Sequence, residues 1–244
     1  MINFVKNEKK YYQLNTGIDS LNIGVTGREI NSTDYSSPER EVRLSDKNLL
    51  SSVTGLNPEN IVMLEQIHED DILVVDSFPE VNLPAYGEAD GLITALPGVA
   101  LVIRSADCVP VFIFDDKKKV LSAVHSGWKG TMLDITGKCI EKMKRDFFCN
   151  TGNLHVFILP SIGPAMYEVN EDVAKHFPEN TLSKEGKLFV NLWGSIEQSC
   201  VKAGVPKKQI FNTGICNRTN YKEFFSHRYG DAERNLNFAF ICGE

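Results

Sequence analysis

The sequence predicts an α+β fold, a single domain of layered mixed β-sheets flanked by helices. Three observations carry this reading. Short segments rich in Val, Ile and Phe recur along the chain and read as strands. Segments with apolar residues three or four apart fall among them and read as helices. The two kinds are mixed irregularly, which does not fit a plain run of βαβ units. With 244 residues and no repeat, low-complexity tract or clear linker, one domain over 1–244 is the simplest division.

In chain order, MINFVKNEKKYYQLN lacks the apolar core of an export signal, so a cytoplasmic location is expected. Residues 30–48 are the most polar stretch and read as a long surface loop. Ser45 is placed to cap a helix carrying Leu49, Leu50 and Val53 that stops near Gly55. Strands are expected at 61–67, 72–76, 99–104, 109–114 and 120–124, with Lys117, Lys118 and Lys119 turning a hairpin between the last two. Met132, Ile135, Cys139, Met143 and Phe147 then mark one buried face of a helix over 131–147. A strand at 155–159 follows. Asn170 caps an acidic first turn, Glu171 and Asp172, with Val173 and Phe177 turned inward. Ile196 and Cys200 lie on a helix ending at Gly204, with Pro206 beyond it, and a strand covers 209–213.

Composition narrows the function classes. The 26 basic and 32 acidic side chains leave a net charge of −6, which argues against a sequence-independent nucleic-acid binder. No apolar run approaches the roughly 18 to 20 residues of a membrane span. Hydrophobic residues at 42% and charged residues at 24% are ordinary globular usage, so the chain folds around a core. Six cysteines without a C-x-x-C pair do not make a disulfide framework and fit a reducing compartment. No obligate protein partner is evident, and small-molecule substrates stay open.

Cys139 and Cys200 lie on apolar helical faces and read as small buried hydrophobes. Cys149 and Cys242 show no partner pattern, and Cys216, just after a strand in GICNRTN, stays undecided. Cys108 differs, because Ser105-Ala106-Asp107-Cys108-Val109-Pro110 interrupts two apolar strands and puts Asp107 and Cys108 at a strand end. Of five histidines, His155 and His176 read as structural or solvated, and His227 is ambiguous. His68 and His125 each close an apolar segment. His125 also opens Ser126-Gly127-Trp128-Lys129-Gly130, a glycine loop leading into a helix, which reads either as an anion site or as a tight βα turn.

His68, Cys108 and His125 are separated by 40 and 17 residues, not by the local spacing of a zinc finger. If they meet, two imidazoles and a thiolate suit zinc with one open coordination position. The same residues also suit a Cys–His nucleophilic pair. Spacing does not choose between the two.

The chain resembles the laccase-domain family, also called multicopper polyphenol oxidoreductases and described as purine nucleoside phosphorylases. The resemblance rests on Gln66-Ile67-His68, Ala89-Asp90-Gly91-Leu92-Ile93-Thr94, Ala106-Asp107-Cys108-Val109-Pro110, Val124-His125-Ser126-Gly127-Trp128-Lys129-Gly130, and Ser161-Ile162-Gly163-Pro164 with Tyr167-Glu168-Val169. Cys216 and Phe225-Ser226-His227-Arg228 follow. Ser126 and Lys129 stand where the family often has Ala and Arg, Glu233-Arg234-Asn235 where it favours a Gly-Arg pair, and residues 1–60 match weakly.

The resemblance implies that His68, Cys108 and His125 ligate a metal, with zinc the expected ion and copper the alternative in the same site. It implies phosphorolysis of adenosine, inosine, guanosine and methylthioadenosine, with adenosine deamination as a second activity. Purine nucleosides and phosphate are then the partners. Asp107 is the candidate for orienting a ligand histidine or the nucleophile, and Lys129 and Arg228 are candidates for phosphate. Copper-dependent phenol oxidation is the runner-up, although five histidines are too few for a full multicopper cluster. A nucleoside-binding protein without turnover is the third reading.

Overall fold

The computed structural model describes residues 3–9, 11–31, 33, 36–80 and 83–243. Ser32, Asp34 and Tyr35 of the polar stretch, and Met1, Ile2 and Lys10 of the N-terminal segment, lie outside the described residues.

Two six-stranded sheets form the centre. The first runs β1 (Asn3–Lys6), β2 (Tyr12–Asn15), β3 (Leu21–Val25), β15 (Asn235–Ile241), β7 (Ala100–Ser105), β4 (Ile61–Met63). The second runs β14 (Ile210–Asn212), β10 (Leu154–Ile158), β8 (Val109–Asp115), β9 (Val120–Ser126), β6 (Gly91–Thr94), β5 (Ile72–Val75). Both are mixed: β4 lies parallel to β7 and β5 to β6, while β8 and β9 form an antiparallel hairpin. A small sheet of β11 (Glu168–Val169), β13 (Lys187–Val190) and β12 (Thr181–Lys184) stands beside them.

Side-chain alternation builds the layers. On β7, Leu101 and Ile103 face the second sheet, while Ala100 and Val102 face α1 (Glu39–Thr54) through Leu50 and Val53. On β8, Phe112 and Phe114 enter the layer between the sheets. Val109, Val111 and Ile113 face α3 (Ile135–Phe147) and α5 (Leu192–Lys202), against Ile135, Cys139, Ile140, Ile196 and Cys200. The order is therefore helix, sheet, sheet, helices. Covered on both faces, β8 and β9 are buried along their whole length, which is why they read as continuous apolar runs.

The strands over 72–76, 99–104, 109–114, 120–124, 155–159 and 209–213 stand within one or two residues of expectation. Three expectations are corrected. First, much of the polar stretch is α1, which begins at Glu39, so Ser45 sits inside it rather than at its cap. Its buried face carries Arg43, Asp46 and Lys47 beside Val42, Leu50 and Val53, and those charges hide its amphipathic pattern. The helix does end at Gly55, whose φ of 80° suits glycine. Second, 131–147 is two helices, α2 (Trp128–Met132) and α3, because Asp134 takes φ 61° and accepts a hydrogen bond from the Gly137 amide. Met132 is exposed as a result. Third, β4 stops at Met63, leaving 64–68 outside a regular strand. Asn170 precedes α4 (Glu171–Ala174), but among the described residues its side chain makes no capping bond.

Candidate metal centre

The three nominated ligands arrive from three places. Cys108 immediately precedes β8, and His125 is the penultimate residue of β9. The antiparallel register pairs Val109 with Ser126 and Pro110 with His125, which sets both ligands at the same end of the hairpin. His68 comes from the loop after β4 and takes φ 61°, a left-handed conformation that turns the chain back towards β9. Their ligand atoms all lie within 4.8 Å of one another. The two imidazole rings stand 4.8 Å apart, nearly perpendicular. Among the described residues, no other group of three such side chains comes together.

Close approach requires Gly127. A methyl group at that position would stand 3.1 Å from Cys108 Sγ and 3.5 Å from His68 Cδ2. Trp128, which follows it, lines the cavity. Thr131 steadies the turn by donating to the Gly127 carbonyl at 2.8 Å. The glycine loop is thus a tight turn that clears space for the cysteine, and the α2 helix it opens is only five residues long.

Asp90 fixes His125. Its Oδ1 lies 2.7 Å from His125 Nδ1, and its Oδ2 accepts from the amides of Ile67 and Glu69 at 3.1 and 2.8 Å. One fully buried carboxylate therefore orients one histidine ligand and clasps the backbone on either side of the other. Burial opposes its charge, but the His125 hydrogen bond and the backbone donors outweigh it and hold the carboxyl below the usual range. An ionised Asp90 only accepts, so Nδ1 carries a proton in either charge state of His125, and Nε2 is the nitrogen left for the triad.

Cys108 is tuned as a thiolate. Burial raises the thiol, but the His125 charge and hydrogen bonds from His125 and His68 bring it down to about 6. Burial likewise disfavours the His125 cation, and the Cys108 thiolate with Asp90 reverses that and lifts it to about 9. Two nitrogens and a thiolate, with the far nitrogen of one imidazole bound to a carboxylate, form the donor set and outer support of a zinc-type site. The residues present fit such an ion, and the same arrangement also presents a Cys–His pair.

The triad opens into a cavity of about 1020 Å³. Trp128, Ile162, Tyr167 and Leu192 give part of the wall an apolar face, and Arg43, Arg104, Arg228 and Arg234 supply cations. The other nominated residues, Asp107, Arg228 and Lys129, stand in three different surroundings. Asp107, at φ 87°, does not orient a ligand histidine; its Oδ2 accepts the Arg228 amide at 2.7 Å, and Asp90 orients His125 instead. Burial pushes the Asp107 carboxyl up, against the opposing pull of the Arg228 amide, Ser226, His227 and Arg228. Arg228 lines the cavity, donates to the Glu168 carbonyl and lies over the Tyr167 ring at 5.1 Å. Lys129 is exposed, points along the Trp128 ring at 6.0 Å and is absent from the cavity wall. His155 stacks on Phe211 and His176 on Trp128.

A family model described as multi-copper polyphenol oxidoreductase laccase matches residues 18–242. The chain belongs to this laccase-domain family. A purine nucleoside phosphorylase of Bacteroides thetaiotaomicron is 33% identical over 212 residues, covering 81% of this chain and 78% of its own. One of Clostridium acetobutylicum is 34% identical over 192 residues, covering 76% and 78%. A relative named adenosine deaminase RL5, from an unknown prokaryotic organism, is 27% identical over 82% of this chain and 81% of its own. In fold, the crystal structure of YlmD from Geobacillus stearothermophilus superposes with a TM-score of 0.91 over all of both chains, at 22% identity. The shared fold thus extends over the described residues of 1–60, where the sequence motifs are weakest.

Asp90 stands among the family motifs without a role of its own in the sequence, because its partner lies across the β6–β9 pairing. Gln66 has a second hidden role: it donates to the Arg104 carbonyl and accepts the Arg104 amide, both at 2.9 Å. No helix of the described residues is long and apolar enough to cross a membrane.

Proposed function

We propose that the protein is a zinc-dependent purine nucleoside phosphorylase acting on adenosine, inosine, guanosine and methylthioadenosine, with adenosine deamination as a second activity. The observation that carries this reading is the joined His68–Cys108–His125 triad at one end of a large cavity with aromatic walls. The named activities of the relatives support it.

His68, Cys108 and His125 would hold the ion, which supplies Lewis acidity and a net positive site, +2 from zinc against −1 from the thiolate. Asp90 keeps the His125 proton on Nδ1 throughout. Trp128 and Tyr167 line the cavity and would contact a purine with the ring faces not taken by His176 and Arg228. In phosphorolysis a phosphate oxygen bonds to the ribose anomeric carbon as the bond to the purine nitrogen breaks. The bonding pair leaves with the base, which takes up a proton. In deamination water replaces the 6-amino group, and ammonia leaves.

The test is adenosine turnover by zinc-quantified protein, with and without phosphate, for the native chain and Cys108→Ala. Adenine release in proportion to phosphate consumed, lost in the variant, is expected. Metal-loaded protein that releases neither adenine nor inosine would overturn the reading.

A further inference from the structure

Two arginines on the cavity wall, Arg43 and Arg104, are the least explained part of the site. Arg43 comes from α1 and Arg104 from β7, and both line the same cavity as the triad. Their side chains are only 10% and 11% exposed. Cations so nearly buried need matched acceptors. One is permanent: Asp46, wholly buried, lies 3.1 Å from Arg104 Nε. The others are not. Arg43 reaches Glu39 at 3.3 Å and Glu65 at 3.6 Å, and both carboxylates are more than half exposed. Its own Nε is buried with no hydrogen-bond partner among the described residues. The same Glu39 oxygen that faces Arg43 also pairs with Arg104. Two guanidinium groups thus converge on one exchangeable carboxylate oxygen inside a cavity.

We propose that Arg43 and Arg104 form a phosphoryl-binding subsite, in which Glu39 stands where phosphoryl oxygens bind. A phosphoryl group offers more oxygens than a carboxylate and carries more charge, and a guanidinium fork matches it. Glu39, in the first turn of α1 and mostly in solvent, can swing away at little cost, whereas Asp46 stays to neutralise Arg104. The subsite is held at a set distance from the metal ligands. Gln66 clasps the Arg104 backbone two residues before His68, and Arg104 itself lies four residues before Cys108. As the subsite for a co-substrate it rests on the phosphorolytic reading above; as a binding site it rests on this geometry alone.

The experiment is calorimetric titration of the metal-loaded full chain with inorganic phosphate and, separately, with adenosine 5′-monophosphate. Native protein is compared with Arg43→Gln, Arg43→Lys and Glu39→Gln, with metal content and melting temperature measured for each. Loss of a charged hydrogen-bonding partner predicts about tenfold or weaker binding in Arg43→Gln. Arg43→Lys keeps the charge without the fork and falls between. Glu39→Gln removes the competing anion and binds several-fold more tightly. An effect on inorganic phosphate assigns the subsite to a free co-substrate, and an effect on the nucleotide alone assigns it to a phosphorylated nucleoside. Affinity for both probes unchanged in Arg43→Gln and Glu39→Gln overturns the proposal. If Arg43→Gln does not fold, Glu39→Gln decides by itself. No turnover is needed, so arginine-dependent binding in a protein without phosphorolysis would keep the subsite and reject the activity.

Discussion

The two ends of the cavity are built on opposite principles. At the triad end, the donors are fixed by short bonds from a buried carboxylate, and the supporting strands are sealed on both faces. At the arginine end, the cations sit on a polar helix and a strand end, and among the described residues two of their acidic partners, Glu39 and Glu65, face solvent. Buried, saturated contacts hold a geometry, while half-exposed contacts can be exchanged. The first end suits a resident ion, and the second suits a ligand that must come and go.

The largest effect should come from breaking the triad end. Cys108→Ala is expected to lose metal and reduce phosphorolysis by about a thousandfold or more, read by metal analysis and adenine release. Asp90→Asn should be next. It keeps the shape but loses the anion that holds the His125 proton on Nδ1, so metal affinity should fall about 10–100-fold. Competition with a chelator measures it, and an unchanged affinity would remove Asp90 from the site. Gln66→Ala sharpens the comparison because Gln66 links the ends. Loosening the Arg104 backbone should lower kcat/KM by about tenfold with metal content unchanged. The smallest effect belongs to Lys129→Ala, which should leave phosphate KM within about twofold of native, since its ammonium lies off the cavity wall.

A pH measurement separates the ends without turnover. In metal-free protein the Cys108 thiol sits at about 6, below its ordinary 9.0, so the thiolate is present above about pH 6 and is lost as the pH falls through it. Alkylation by iodoacetamide should follow that curve, as a titration shared with His125. A midpoint near pH 9 would mean that the histidines do not stabilise the thiolate.

The same contrast explains what was legible in the sequence. Apolar strands sealed on both faces announce themselves, so β8 and β9 were readable, and with them the positions of Cys108 and His125 at strand ends. Their meeting with His68 was not readable from spacing, because a loop at positive φ brings that residue in. Asp90 escaped because cross-strand pairing leaves no local signal. The arginine wall escaped because α1 buries charges, which turned an amphipathic helix into an apparent loop. Strands β1 to β3, β6, β11 to β13 and β15 were also missed; β12 is polar and mostly exposed, and β15 carries buried Asn235 and Asn237 among its apolar residues.

The β8–β9 hairpin also bears on the order in which the chelate assembles. Residues 116–119 turn the chain, with Asp115 Oδ1 accepting the amides of Lys117 and Lys118 at 2.9 Å. Closing so short a loop costs little entropy, and hairpins form in about 1–10 μs. Cys108 and His125 are therefore neighbours as soon as this hairpin zips. His68 must wait for β4 to find β7 across almost forty residues, a parallel pairing that belongs to slower, non-local folding. The ligand set thus joins a local pair to one long-range partner, and that partner, His68, is the exposed one on the cavity wall.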